Sequence, residues 1–455
     1  MHPSNPWPAP KRISSAISLV DVLSAYPNEW RFLLASESGA DVCSARWSLL
    51  LRHTGEEIIH GDTDPPNFLD QLQDSLDRSA RPFDETDLPF WGGWFVYLGY
   101  EVAAEIEPSL ELPASPDSLP RAYAARCACA LVHDHWAGET WLVAETNAYM
   151  SLAEKELAEI SVADSNNRDG SSLRGLSAGL LADEPERFKK GVVQILDYIQ
   201  AGDVFQVNLS RGWQVNGDVP IDPLALYHAL RRANPAPFAG YAKLPGGSIV
   251  SSSPERLVQK RGQRVQTRPI AGTRPRGLTT QDDEQLIGEL VSNLKERAEH
   301  IMLIDLERND LGRVCQAGSI VVDELMVVES YEHVHHIVSN VSGELRADAT
   351  ATDLIRAVFP GGTITGCPKV RCMEIIAELE GVGRGAYTGA IGYISNNGVM
   401  DLNILIRSVC VCGETLSFRT GAGIVADSEP SSELKETGFK ARGLIGALDS
   451  EAHPK

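Results

Sequence analysis

"RTGAGIVADSEPSSELKETGFKARG", residues 419–443, runs from a Gly-rich stretch into a segment with helical spacing. Read as a helix, the second half puts Glu433, Glu436 and Lys440 on one face, at i, i+3 and i+7. Leu434, Ala441 and Ile445 fall on another. Two acids and a base on one stripe ordinarily face water. Here they follow "RTGAGIVADS", whose glycines suit an anion approaching backbone N–H groups. This helix closes the chain, after a strand meander over about 386–420.

Further back, strands and helices mix. "EPERFKKGVVQILDYIQAGD" (184–203) has helical periodicity and a Gly-Asp stop, and "VFQVNLSRGWQV" (204–215) reads as a strand. "DPLALYHALRRANP" is a helix begun by Asp-Pro and stopped by Asn-Pro. Residues 239–270 alternate as strands around "LPGG", and 281–310 is the longest helical stretch. Strands follow at 319–345, then helices at 352–358 and 367–380. Residues 1–161 form a mixed region of their own. In it "PFWGGWFVYLGYEVA" (89–103) reads as strands with a tight turn, "ARCACALVHD" and "TWLVAET" as paired strands, and "SLAEKELAEI" as a helix. Residues 162–183 are polar and Gly/Ser-rich, a linker to a second region, 184–448. There is no internal repeat and no regular βαβ alternation. The pattern predicts an α+β fold with large, mainly antiparallel sheets flanked by helices.

With 455 residues, 43% of them hydrophobic, the chain can bury a sizeable core. Its formal charge, 41 − 62 = −21, argues against nucleic acid and against anionic membrane surfaces. A small anionic substrate would need local cations or a metal. The eight cysteines include two C-x-C pairs, Cys127/Cys129 and Cys410/Cys412, in strand-like runs, but no C-x-x-C. They read as reduced thiols. "MHPSNPWPAPKR" lacks the apolar core of a leader, and no run approaches a membrane span, so a cytoplasmic protein is expected.

Several groups could carry chemistry. "LKERAEH" holds a second acidic pair, Glu296 and Glu299, again at i, i+3. Two such pairs on two helices could share a divalent cation, and carboxylate oxygens suit Mg2+. Glu255 follows a small-residue turn in "SSSPER" and could act as a general acid if buried. "PIAGT" supplies Ala271, Gly272 and Thr273, and "FPGGTITGCPKVR" a Gly-Gly loop with Thr363 that lacks the ending of a nucleotide P-loop. In "YEHVHHIVS", His333 and His335 share one strand face and His336 the other. Arg407 ends an apolar run, where a buried guanidinium calls for an anion.

"SPER", "PIAGTRPRG", "RAEHIMLIDLERNDLGRV", "HHIVS", "FPGGTITGCPKVRCMEII", "GAIGYI" and "GAGIVADSEPSSELKET" occur in this order. Together they resemble the chorismate-utilising enzymes: anthranilate synthase component I, aminodeoxychorismate synthase component I, and the isochorismate and salicylate synthases. The resemblance covers about 184–446, with residues 1–161 more loosely similar to the N-terminal part of the ammonia-using synthases. It implies the anthranilate synthase component I-like fold. It also implies that Glu299 and Glu436 ligate Mg2+, with Glu296 and Glu433 behind them through water. Arg407, Tyr387 and Lys440 would hold the enolpyruvyl carboxylate of chorismate, with backbone N–H groups at Gly421 and Gly423. Gly272 and Thr363 would line the pocket, with His336 near the ring. Glu255 matches the acid that protonates the departing C4 hydroxyl.

Members that add water carry a Lys base where this chain has Gln206. Gln cannot deprotonate water, whereas ammonia needs no base, so amination is expected. Asn208, Gly361 and Ala35 resemble the aminodeoxychorismate branch. Ala271 stands where many of that branch carry a nucleophilic Lys, and its presence points to the anthranilate branch. On balance the resemblance favours aminodeoxychorismate synthase, with anthranilate synthase as the alternative. No Gly-x-Cys-x-Gly elbow occurs, so a separate glutamine amidotransferase subunit is expected to supply ammonia.

Overall fold

The computed structural model describes residues 7–13, 17–37, 46–83, 88–160, 170–277, 279–331 and 334–449. Two large sheets face each other, and helices cover their outer sides. The first runs in the order Lys11–Ile13, Glu139–Ala144, Cys129–Asp134, Trp47–Arg52, Phe32–Ala35, Phe238–Leu244, Gly247–Ser253, Ser408–Cys412, Thr415–Ile424, Gln206–Asn216, Gly366–Cys367. The second runs Ile270–Pro275, Val334–Glu344, Arg264–Thr267, Arg256–Arg261, Met400–Asn403, Ala390–Ser395, Gly93–Leu98, Ala122–Cys127, Glu57–His60. Val321–Ser330 pairs with Val334–Glu344 beside that path. Every pairing among the described strands is antiparallel, as the α+β expectation requires.

Both sheets draw strands from both sides of residues 162–183. Phe32–Ala35 pairs with Phe238–Leu244, and Gly93–Leu98 pairs with Ala390–Ser395. The division into an N-terminal region, a linker and a 184–448 region is thus one of the chain, not of the sheets. Residues 162–169 of the linker lie outside the described residues; beyond them Gly170–Leu173 forms a helical turn, and Leu181–Ala182 adds two residues to the edge of Gln206–Asn216.

The core between the sheets is rich in aromatic rings and buried. Phe32 of the first sheet stacks on Phe95 of the second, ring centroids 4.0 Å apart, with Tyr97, Tyr123 and Ile391 around them. Such rings bury the largest apolar area per residue and dominate the hydrophobic term. The outer face of the first sheet packs on Pro223–Ala233 and Pro430–Asp449, and that of the second on Phe68–Ser79 and Ala351–Val358.

Local chemistry sets the helix ends near the site. Pro185 opens one helix, and Gly202 closes it at φ +83°, a left-handed cap that costs glycine nothing. Asp222 caps the next by accepting the Leu224 N–H at 2.9 Å. The predicted 281–310 helix is two helices, Thr280–Ser292 and Leu294–Gly312. Asn293 leaves the helical region, and its Oδ1 accepts the Glu296 N–H at 3.3 Å, starting the second helix afresh. "PFWGGWFVYLGYEVA" is not a hairpin: it is one strand, Gly93–Leu98, followed by helical turns. Cys127 and Cys129 end one strand and begin another in different sheets, so they do not share a strand face. Among the described residues no helix is long and apolar enough to cross a membrane.

Candidate active site

Glu255 sits where the chain crosses from one sheet to the other, between Gly247–Ser253 and Arg256–Arg261. Ser253 Oγ accepts its N–H at 3.2 Å, and its carbonyl accepts the Ile404 N–H at 3.0 Å. The next residue, Arg256, is pinned by Asp401 at 2.9 and 3.0 Å. The backbone at Glu255 is therefore fixed from both sides, in a residue only 5% exposed. Burial raises its pKa to about 7; the Thr363 side chain, the Ile270 N–H, and the charges of Arg407 and Lys440 oppose that rise. A carboxyl half protonated near neutral pH can give a proton away.

Arg407 has φ +50°, a backbone strain rarely tolerated outside functional sites. Among the described residues its guanidinium makes no hydrogen bond or ion pair. Burial lowers its pKa, while the nearby Glu255 and Tyr331 raise it. A half-buried cation without a contact partner is a seat for an anion. Lys440 Nζ donates to the Gly421 carbonyl at 3.1 Å and pairs with Glu436 at 2.8 Å. A Cβ at Gly421 would stand 2.6 Å from both Tyr387 Oη and Asn208 Oδ1. One at Gly423 would stand 2.7 Å from Gln206 Nε2 and 3.5 Å from Glu299 Oε1. Hence Tyr387, Gln206 and Glu299 all converge on the end of the Thr415–Ile424 strand, where only glycine leaves room.

His336 is buried, and its Nδ1 lies 2.9 Å from Thr273 Oγ1 and 3.4 Å from the Gly272 carbonyl. A carbonyl only accepts, so Nδ1 carries the hydrogen, and buried Nε2 is left as an unpartnered acceptor. Burial and then Arg407 lower its pKa to about 3, so the ring stays neutral. Gly272, at φ +68°, is the extra residue of a bulge between Ala271, which pairs with Ile337, and Thr273, which pairs with His336. Its side-chain position is filled by Glu296 Oε2 at 2.5 Å and Leu290 Cδ1 at 2.9 Å. Gly272→Ala is expected to lose about 1–3 kcal/mol of stability. Chemical denaturation would read it as a lower midpoint at unchanged slope.

Of the four acids, Glu296 pairs with Arg274 at 2.8 Å through Oε1, while its Oε2 is buried and unpartnered. Glu299 faces Gly423, and Glu433 is buried one turn before Glu436. Among the described residues no three His, Cys, Asp or Glu side chains stand close enough to enclose an ion. The donors nevertheless fit a hard divalent cation: all are carboxylates, on two helices, and one buried oxygen lacks a partner. A substrate oxygen and water would have to complete such a shell.

The other histidines have different places. His335 is held by Asp283 at 2.8 Å and Ser330 at 2.8 Å, tying down the start of the Thr280–Ser292 helix. His333 lies outside the described residues. Three site groups escape sequence reasoning. Tyr331 stands edge-on to His336 at 5.6 Å. Arg274 holds Glu296, and Arg384 underlies Tyr387 at 5.5 Å. Arg384 itself is gripped by Glu380 and by the Asn208 and Ile364 carbonyls. The N-terminal region reaches this turn too. Glu101 Oε1 accepts the Arg384 and Gly385 N–H groups at 2.7 and 3.2 Å, and the Tyr100 N–H donates to the Gly385 carbonyl at 2.8 Å. A separate cavity of about 320 Å3, bordered by Ala35, Arg46, Phe238 and Asp401, contains none of the expected catalytic or binding groups.

Around Glu255 the structure thus gathers a buried acid, two nearby cations and glycine-lined backbone, with carboxylates from two helices beside it. The chain belongs to the chorismate binding enzyme family, which matches residues 31–446. It is 44% identical over 362 residues to an anthranilate synthase component I-like protein of Synechocystis sp., covering 80% of this chain and 74% of that one. It is also 44% identical over 405 residues to the aminodeoxychorismate synthase component 1 of Bacillus subtilis, covering 87% and 84%. The crystal structure of anthranilate synthase component I from Streptococcus pneumoniae superposes with a TM-score of 0.76 at 31% identity, covering 89% and 93%. The fold expected from the motifs is the fold found.

Proposed function

We propose that the protein aminates chorismate to 4-amino-4-deoxychorismate, toward 4-aminobenzoate and folate, with Mg2+ as cofactor. Ammonia comes from a separate glutamine amidotransferase subunit. One observation carries amination: among the described residues the site holds an acid and no base fit to activate water. Glu255 supplies the proton that turns the C4 hydroxyl into water as it leaves. Gln206 is buried with its Oε1 unpartnered, so it can orient a nucleophile but not deprotonate it. His336 is too weakly basic to do so. Its free Nε2 accepts a hydrogen bond from the substrate instead. Arg407, Tyr387 and Lys440 take the enolpyruvyl carboxylate, with the Gly421 and Gly423 backbone beside it. Glu299 and Glu436, with Glu296 and Glu433 behind them, would hold Mg2+, which would supply Lewis-acid polarisation of the ring carboxylate.

Entry of the amine at C4 is favoured by the resemblance of Asn208, Gly361 and Ala35 to the aminodeoxychorismate branch. A Cβ at Gly361 would come 2.8 Å from Ile404 Cδ1. The second reading, anthranilate formation with loss of pyruvate, is favoured by Ala271, itself buried, which offers no amine to attack the ring. Incubation with chorismate, Mg2+ and ammonium separates them. The expected result is no fluorescent product until a lyase is added, after which 4-aminobenzoate appears. Direct appearance of fluorescent anthranilate would establish the second reading instead.

A further inference from the structure

Glu296 and Glu299 lie in the first two turns of the Leu294–Gly312 helix. Leu294, Arg297 and Ala298 are exposed, and His300 is the first buried residue of this helix among the described ones. A helix that starts afresh has few bonds of its own in its first turn, so its seating is set from outside. His300 is fully buried, and its Nε2 lies 2.6 Å from the hydroxyl of Ser339, on the strand Val334–Glu344. Ser339 is fully buried as well. Its hydroxyl also accepts the Met326 N–H at 2.9 Å, and its own N–H donates to the Pro269 carbonyl at 3.3 Å. Met326 stands at φ +53°, between Glu324 and Val327, where the pairing of Val321–Ser330 slips. Its N–H has left the ladder there, and Ser339 supplies the acceptor. One serine thus joins the helix of the two acids, the bulged strand, and the residue that opens Ile270–Pro275, the strand of Gly272 and Arg274.

We propose that Ser339 is a positioning residue for the divalent-cation site, acting through His300 to fix the rotation of the helix that carries Glu296 and Glu299. This rests on the reading of those acids as holding Mg2+. Residues 296 and 300 share one helix face at i, i+4, and 299 lies about 100° round from 300. With His300 pinned to Ser339, Glu296 is turned onto Gly272 and Arg274, and Glu299 toward the position a Cβ of Gly423 would take, 3.5 Å from its Oε1. A carboxylate about 5–6 Å from the helix axis moves about 1 Å for each 10° of rotation. Mg2+ takes its oxygens at about 2.0–2.1 Å in a nearly ideal octahedron, so a slip of that size breaks the shell. The ion pair of Glu296 with Arg274 does not hold the rotation alone, because the guanidinium is partly exposed on a long side chain and follows the acid. The task of the hydroxyl is geometric, and no proton changes hands.

The test is Ser339→Ala, with Mn2+ as the probe, read by paramagnetic resonance with chorismate present and ammonium withheld. Its affinity for Mn2+ is expected to fall about 10–100-fold, the usual loss when a residue that orients a metal ligand is removed. With ammonium added, the Mg2+ concentration giving half the maximal rate should rise in step, while kcat at saturating Mg2+ stays within a few-fold of the parent. A hydroxyl with a merely structural role would lower the melting temperature and leave both metal readings in place. Ser339→Thr, which keeps the hydroxyl, is expected to restore most of the affinity. Because Ser339→Ala also strips the Met326 N–H of its acceptor, His300→Leu is the second variant. It cuts the same link from the helix side, leaves that N–H bonded, and is expected to show the same loss. Parent-like Mn2+ affinity in Ser339→Ala or in His300→Leu overturns the proposal, as does Ser339→Thr binding as weakly as Ser339→Ala. Glu299→Gln separates the two levels. Parent-like Mn2+ affinity in that variant defeats the metal reading itself; weakened binding there beside parent-like binding in Ser339→Ala defeats this proposal alone.

Discussion

Replacing Glu255 with Gln is expected to cut ammonium-dependent turnover of chorismate by about 10²–10⁴-fold, while chorismate still binds. The amide keeps the shape and can still face Thr363 and the Ile270 N–H, but it has no proton to give a leaving hydroxyl. Stopped turnover with retained binding, the latter read by calorimetry, is therefore the signature. A rate within a few-fold of the parent would remove Glu255 from the chemistry. The sign of the pH effect follows from its pKa, raised by burial to about 7. The productive form is protonated, so the parent's chemical step should be flat below about pH 7 and decline above it. Stability runs the same way. A raised carboxyl contributes most below its unfolded value near 4.5, and that contribution is lost as pH rises through about 7. Glu255→Gln should erase this pH-dependent loss, and its melting temperature should gain on the parent's between pH 5 and 8.

The second large effect is expected at Glu299 and Glu436. Either change to Gln should abolish Mg2+-dependent turnover, by about 10²-fold or more, because charge stabilisation by a metal is worth several kcal/mol. Manganese as a spectroscopic probe should show divalent binding weakened in both variants. Folding should scarcely change. Glu436 forms a half-exposed ion pair with Lys440, and such pairs contribute at most about 1 kcal/mol. Normal divalent binding with normal rates in either variant would take the cation away from these helices.

The order of strands and helices is largely legible in the sequence because each has its own period and its own stop. Gln206–Asn216, Pro223–Ala233 and Lys369–Glu380 lie close to where Pro, Gly and apolar spacing put them. The break at Asn293 is not legible, because apolar periodicity runs on through it and only the cap reveals the restart. The fate of "FWGGWFVY" is hidden for a different reason. Its partners, Ala390–Ser395 and Ala122–Cys127, are remote in sequence or already claimed by another reading. Among the site residues, acids at i, i+3 and glycines in a strand stand out by type. Arg274, Tyr331 and Arg384 do not, since nothing in their local spacing tells that one clamps Glu296, another abuts His336 and the third underlies Tyr387.

The turn bearing Tyr387 is held by backbone and carboxylate groups of Tyr100 and Glu101, and Ala390–Ser395 leans on Gly93–Leu98 along its length. A protein engineer seeking a minimal catalyst would therefore gain nothing by trimming the chain at residue 184. The shortened product would expose two raw sheet edges inviting self-association, and would slacken the very loop on which grip of the substrate depends.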